Sequence, residues 1–380
     1  MLDKMGKPIF TLKESSIRKF NAFARDNESK YFLTIGEPDF DTPEAVKNAT
    51  IEAIKNNETH YGHSSGLLEL REKIVEFEKK VNNVDYTTDE VIVTNGSTEG
   101  LTVSLLCMLE KGDEVIVPTP AYPQYVEIIK FAEAKYIPLD TTGNGFDITK
   151  EMLEKVKSDK TKCIILTSPN NPSGHILSDK SLEDIHQFVI ENDIFVICDD
   201  CYNQLIYGER RLGFSKFQDI KEKIIVCQSF SKPYAMTGWR IGYLLAENKI
   251  IQELFKLHQY TVVAQNTFVQ KGAIVALDVD VNIYLESYRK RRDYTYKRLK
   301  EIGFEVELSE GAFYLFPSVK KFGVNSLEFC EQLVLKKKVA MIPGRFFEAD
   351  DYVRISYCVA EEVLENSLNL IEEFVKENFN

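Results

Sequence analysis

The stretch IIVCQSFSKPYAMTGWRIGYLL, residues 224–245, governs how the rest of the chain is read. Its ends, Ile224 to Cys227 and Ile241 to Leu245, are short apolar runs of the kind that form buried strands. Between them lies a segment crowded with hydroxyls, carrying one lysine, Lys232, and one arginine, Arg240, eight residues further on. A lysine held among cationic and polar groups can lose its proton and act as an amine nucleophile, which is what a Schiff base requires. A loop lysine without such a setting is ordinarily a surface residue.

From about residue 90 to 245 the chain alternates β-rich runs with helical ones. Val91 to Thr94, Glu114 to Val117, Lys135 to Leu139, Lys162 to Thr167 and Ile194 to Cys198 read as strands. Thr98 to Glu110, Gln124 to Ala132 and Asp179 to Glu191 read as helices between them, the last with Ser178 as its N-cap. This alternation predicts an α/β fold: a mostly parallel central sheet with helices on both faces. Beyond Lys249 the pattern changes to long helices, Ile250 to Leu277 and Val281 to Ile302, with Gly303 as a stop. A strand-rich piece (Glu305 to Phe316), a helix, the strand Tyr352 to Ser356 and a closing helix from Glu361 to Phe379 complete a smaller α+β domain. The expected division is a large domain over 46–285 and a small discontinuous one from 1–45 and 286–380.

At 380 residues the chain is long enough for two such cores. A net charge of -12 argues against nucleic acid and anionic membranes as partners. The densest basic run, Arg289 to Arg292 with Lys297 and Arg298, reads as a solvated helix face. No apolar run approaches the roughly 20 residues that span a bilayer, and the start lacks a signal-peptide core. Seven cysteines, an odd number set mostly in apolar runs (Cys163, Cys198, Cys227, Cys358), fit reduced thiols and a cytoplasmic location. The C-x-x-C of Cys198 and Cys201 lacks the second cysteine pair or thioredoxin-like helix start that metal or redox chemistry needs.

Other motifs narrow the chemistry. NGSTEG, residues 95–100, lies between a strand and a helix, where glycine and free N–H groups admit an anion. The G-x-S-x-G of Gly62 to Gly66 comes after a polar run instead of the apolar strand a hydrolase elbow needs. No dinucleotide or P-loop fingerprint is present.

Four motifs stand in order: GEPDF at 36–40, SPNNPSG at 168–174, CDDCY at 198–202, and the S-x-S-K-x-x-x-x-x-G-x-R pattern that begins at Ser229. With these the chain resembles the fold-type I, class I/II pyridoxal-phosphate aminotransferases from about Gly36 to Arg354. The resemblance implies that Lys232 carries pyridoxal 5'-phosphate as a Schiff base and shuttles the substrate's Cα proton, and that Asp199 pairs with the ring nitrogen. It implies that Asn171 and Tyr202 bond the cofactor's phenolic oxygen and that Tyr122 stacks on the ring. Ser97, Thr98, Ser229 and Arg240 would hold the phosphate, joined by Tyr61 from the neighbouring subunit of a homodimer. Arg354 and Gly36 would receive the substrate's α-carboxylate.

Within the family, Ser16 to Phe20 and His258 to Tyr260 look like the bacterial N-acetyl-diaminopimelate and aromatic aminotransferase subgroup. Arg18 or Lys19 is the candidate reader of a distal substrate carboxylate. The expected reaction moves an amino group between an L-amino acid, glutamate first, and a 2-oxo acid in a ping-pong cycle. The same residues also serve carbon–sulfur β-lyases and cyclopropane-carboxylate synthases. A ligand-sensing module of a transcription regulator would need a DNA-binding unit ahead of it, and only about 35 residues precede Gly36. A nicotinamide-dependent dehydrogenase would need the missing glycine fingerprint.

Overall fold

The computed structural model of the protein describes residues 2–379. Helix α1 (Ser16–Asp26) opens the ordered core, with Ser15 accepting the Arg18 N–H as its cap. Strand β1 (Tyr31–Phe32), α2 (Glu44–Lys55) and α3 (Leu68–Asn82) come next, and the strand-helix alternation then begins. It runs β2 (Val91–Thr94), α4 (Gly96–Met108), β3 (Glu114–Thr119), α5 (Gln124–Phe131), β4 (Lys135–Asp140), α6 (Lys150–Val156), β5 (Thr161–Leu166), α7 (Asp179–Asn192), β6 (Phe195–Asp199), β7 (Ile224–Ser229) and β8 (Gly242–Leu245). Ser178 caps α7 as its sequence predicts, accepting the Ser181 N–H.

The strands assemble into one sheet in the order β2-β8-β7-β6-β5-β3-β4. All neighbours are parallel except β8, which runs against both β2 and β7. The sheet is therefore mostly parallel, with the one reversal produced by the short β7–β8 connection that carries Lys232. β4 pairs with one side of β3 and β5 with the other, so the chain reverses direction of growth there. In open α/β sheets ligands sit outside the carboxyl ends of the strands near such a reversal. Both sheet faces are covered. On one, Leu70, Ile74, Ile164, Ile185, Phe188 and Val226 pack together; on the other, Leu101, Val117, Ile129, Ile165 and Leu244 do.

The remainder builds α8 (Asn248–Thr261), α9 (Thr267–Ala276), α10 (Asn282–Ile302), β9 (Tyr314–Leu315), α11 (Ser326–Lys337), β10 (Val339–Ala340), β11 (Ile342–Pro343), β12 (Val353–Ser356) and α12 (Glu361–Phe379). Its own apolar cluster joins Phe20, Leu33, Phe313, Phe329, Ile355 and Phe374. β1 pairs with β10, and β12 lies between β11 and β9.

Three sequence expectations change. The helix read over Ile250 to Leu277 is two helices, because the chain turns at Val263, which takes φ +67°. The strand-rich piece at Glu305 to Phe316 keeps only β9 and two isolated bridges, Glu305 to Ser318 and Gly311 to Ile206. The basic run of α10 is not a wholly solvated face. Arg291 and Arg292 are 9% and 8% exposed, Arg291 bonded to Asp39 and Arg292 to the Ser309 carbonyl. Charge alternation misled there because a buried cation is tolerable only when an acceptor, invisible in the local sequence, meets it.

Candidate active site

The carboxyl ends of β2, β3, β5, β6 and β7 all open onto one cavity of about 870 Å³. It is lined by Gly36, Ser97, Thr98, Tyr122, Asn171, Asp199, Tyr202, Ser229, Lys232, Arg240 and Arg354, with Arg18 at its outer wall. That volume falls in the range of small-molecule sites. Tyr61 is not part of this lining and stands 88% exposed.

Each strand end brings a different group to the cavity. β7 ends at Ser229, and the turn after it carries Lys232, whose ammonium donates to the Gly36 carbonyl. The side chain is open to the cavity but enclosed by protein, and burial holds its pKa below the usual lysine value, the direction a nucleophilic amine needs. The turn is tight: Ala235 and Arg240 both adopt positive φ, 51° and 52°. Such a conformation costs a non-glycine residue about 1–2 kcal/mol, so its presence twice in one connection marks a segment shaped for function.

β6 ends at Asp199, 4% exposed. Its Oδ2 accepts the Tyr125 hydroxyl at 2.6 Å, while Oδ1 is buried without a hydrogen-bond partner. Burial pushes this carboxyl up, and the Tyr125 bond pulls it back. A buried carboxylate oxygen left open calls for an N–H cation beside it.

β2 leads into α4 through Asn95, which makes no side-chain cap bond. The first N–H groups of α4 are thus left to an outside acceptor, with the helix dipole behind them. Gly96 has φ +73°, and a Cβ there would come 2.9 Å from Arg240 Nη2, so glycine is what lets the guanidinium approach the helix start. Arg240 is braced by the Thr237 and Asn95 carbonyls at 3.1 and 3.5 Å.

β12 presents Arg354 to the same cavity, 3% exposed. Its Nη1 donates to Asn171 Oδ1 (2.9 Å) and Nη2 to the Thr34 carbonyl (2.7 Å), and the guanidinium lies over the Tyr314 ring at 4.5 Å. Tyr314 in turn hydrogen-bonds Tyr202 through the two hydroxyls at 2.8 Å. Any side chain at Gly36 would collide with the Tyr314 hydroxyl. At the outer wall Arg18 and Lys13 face the cavity beside Glu127. Among the described residues neither cation's side chain is paired with a carboxylate, whereas Lys19 turns away to Glu14 at 3.0 Å.

Tyr125, Tyr314, Thr34 and Lys13 were not singled out from the sequence. Tyr125 lies in the first turn of α5, where its ring meets that of Tyr122 edge-on at 5.9 Å, a contact the local sequence does not announce. For Tyr314 and Thr34 there was no signal either, since each reaches the site only through the packing of distant segments.

These features fit the pyridoxal phosphate that the resemblance implies. The depressed amine suits its aldehyde, the open Asp199 oxygen its ring nitrogen, and the uncapped helix start with Arg240 its phosphate.

Comparison with known proteins agrees. The family model for aminotransferase class I and II matches residues 28–371. The chain is 38% identical over 367 residues to the probable N-acetyl-LL-diaminopimelate aminotransferase of Bacillus subtilis, covering 95% of this chain and 93% of that one. It is 38% identical to the aspartate aminotransferase of Pyrococcus horikoshii, covering 97% and 96%. The crystal structure of an aromatic aminotransferase from Pyrococcus horikoshii superposes with a TM-score of 0.89 at 36% identity, over 93% of this chain and 99% of that one. This kinship does not favour the carbon–sulfur lyase alternative. An enclosed amine, an acid awaiting a cation and an anion site at the head of a helix thus converge with the comparisons, and the chain belongs to the class I and II aminotransferases, enzymes that use pyridoxal phosphate to move amino groups between amino and oxo acids.

Proposed function

We propose that the amino donor is a dicarboxylic L-amino acid, glutamate first, and that the acceptor is a 2-oxo acid of larger side chain. The observation that carries this is that one cavity is lined by three cations: the buried Arg354 and the exposed Lys13 and Arg18. A dicarboxylate has two anionic ends to satisfy, and the guanidinium fork of Arg354 suits an α-carboxylate held bidentately. Arg18 then reads the distal carboxylate. The names of the relatives, one an aspartate and one a probable N-acetyl-LL-diaminopimelate aminotransferase, support acidic and extended substrates.

Bound pyridoxal phosphate supplies an electrophilic aldehyde and an electron-withdrawing ring. Lys232 would carry the covalent link, and its amine is the group that would take and return the proton at the substrate's Cα. Asp199 keeps the proton on the ring nitrogen, which its unpartnered oxygen and low-dielectric setting support. Asn171 and Tyr202 would hold the phenolic oxygen, and Tyr122 would stack on the ring. Ser97, Thr98, Ser229 and Arg240 hold the phosphate. Gly36 leaves room for the α-carboxylate.

The functional unit is a homodimer in which the partner subunit's Tyr61 completes the phosphate site. Its 88% exposure supports this, as does that of Tyr260 and Val263, at 86% and 52%. Large apolar side chains left so open mark an association surface. The chain divides functionally into 46–285, which holds the cofactor, and 1–45 with 286–380, which brings Arg354 and closes over the substrate; their separate apolar clusters support that division. No described helix is long and apolar enough to cross a membrane, and seven unpaired cysteines, six of them buried, support a reducing cytoplasm.

The test is a spectrophotometric titration of the full chain with pyridoxal phosphate, then glutamate, then a panel of oxo acids. The absorbance band of the lysine-bound cofactor should vanish with glutamate and return with an oxo acid, and borohydride should trap the cofactor at Lys232. Arg18→Ala should weaken glutamate and leave phenylalanine unchanged. A colourless protein without adduct ends this reading, and unaltered discrimination in Arg18→Ala ends the dicarboxylate part alone.

A further inference from the structure

We infer that His258 is a positioning residue for the phosphate end of the site: paired with Glu99, it cancels a buried charge beneath the anion cradle and ties that cradle to the segment presenting Tyr61. The inference rests on the reading that the start of α4 holds the cofactor's phosphate. His258 is fully buried on α8 and does not line the cavity. Its Nδ1 lies 2.6 Å from Glu99 Oε1 and its Nε2 2.8 Å from the Ser64 carbonyl. The other Glu99 oxygen accepts the Asn95 N–H at 2.5 Å, at the cap of α4. Glu99 is itself only 8% exposed.

These contacts fix the proton count. Both ring nitrogens face oxygens, and the Ser64 carbonyl can only accept. One proton must lie along each contact, so the histidine and glutamate together are neutral, whichever of them holds the shared proton. Remove the histidine and a bare carboxylate stays buried one turn below the first N–H groups of α4. There, in the first turn, it offsets the positive end of the helix dipole that would otherwise attract an anion, and it repels a phosphate dianion. The carboxylate is retained because it anchors the Asn95 N–H and fixes the turn through Gly96. Ser64, the other anchor, lies three residues from Tyr61, so one imidazole fixes the phosphate turn and the base of the segment presenting that tyrosine.

The test compares affinities of the full chain, stripped of cofactor, for pyridoxal phosphate and for pyridoxal, which lacks only the phosphate. His258→Gln should weaken pyridoxal phosphate by about tenfold relative to pyridoxal, the effect of one uncompensated nearby charge. Glu99→Gln should keep the affinity ratio within about threefold of wild type, and the double variant should restore it, because neither leaves a buried charge. Parallel loss for both ligands, or no recovery in the double variant, overturns the inference. Should His258→Gln not fold, the double variant decides alone: a wild-type ratio supports the inference and a lowered one overturns it. Wild-type protein that forms no Lys232 adduct sinks the proposed function instead, so the two failures are distinct.

Discussion

Asp199 has one oxygen committed to Tyr125 and one left open, and that asymmetry sets two expectations. On the proposed reading Asp199→Asn removes the charge that would favour a protonated ring nitrogen, so the single-turnover rate with glutamate should fall on the order of 10²–10³-fold, as for loss of one preorganised electrostatic partner. Tyr125→Phe keeps the acid but strips a charge-assisted bond worth about 1.5–3 kcal/mol, leaving Oδ2 bare as well. Its rate should drop by about tenfold, with cofactor still bound. Equal rates in Tyr125→Phe and wild type would show that the tyrosine is only a packing partner. Asp199 was singled out in the sequence through the CDDCY motif of the family resemblance. Tyr125 was not, because which strand end a helix face meets is decided by sheet order, and sheet order is not written locally.

In helix α10 the local sequence misleads, because the acceptors of its buried cations lie in distant segments. A run of four basic residues looks solvated, yet Arg291 bonds both oxygens of Asp39 at 2.8 Å and lies over the rings of Phe40 and Tyr288. It thereby ties α10 to the GEPDF segment, whose Gly36 carbonyl meets Lys232. Arg291→Ala leaves Asp39 without its partner and removes a buried stem, so it should destabilise the protein by about 2–4 kcal/mol in urea unfolding. Arg291→Lys keeps the charge but not the fork, and should recover less than half of that loss. No stability change in Arg291→Ala would show the pair to be incidental. Strands were the most legible elements: β2 and the helix α7 with its Ser178 cap match their sequence patterns closely. The break between α8 and α9 escaped because Val263, a β-branched residue at positive φ, gives no turn signal.

Across the molecule as one body, the site is assembled from segments as far apart in the chain as Gly36 and Arg354, which only shared family motifs made readable in advance. Behind it lies a buried acidic cluster that no motif announced. Asp200 comes directly after Asp199 at the end of β6, near Glu78 of α3, whose oxygens take the Tyr243 hydroxyl and the Asn82 amide at 2.6 Å each. Burial, then repulsion from Glu78 and Asp199, push the Asp200 carboxyl up to about 8, with Arg210 pulling the other way. Burial raises Glu78 also. In the unfolded chain Asp200 ionises near 3.8, so between about pH 4 and 8 the native state holds a proton that the unfolded state has released. The unfolded state then binds fewer protons, and stability must fall as pH rises through this window, by up to about 1.4 kcal/mol per pH unit for one such group, levelling above about pH 8. Asp200→Asn removes the titration while keeping the shape. Urea midpoints taken at fixed protein and cofactor concentrations should therefore decline from about pH 5 to 8 in wild type and decline less in the variant, which should be the more stable of the two at about pH 8. Parallel pH profiles for the two proteins would mean that Asp200 is already ionised in the native state and that Arg210 outweighs its burial.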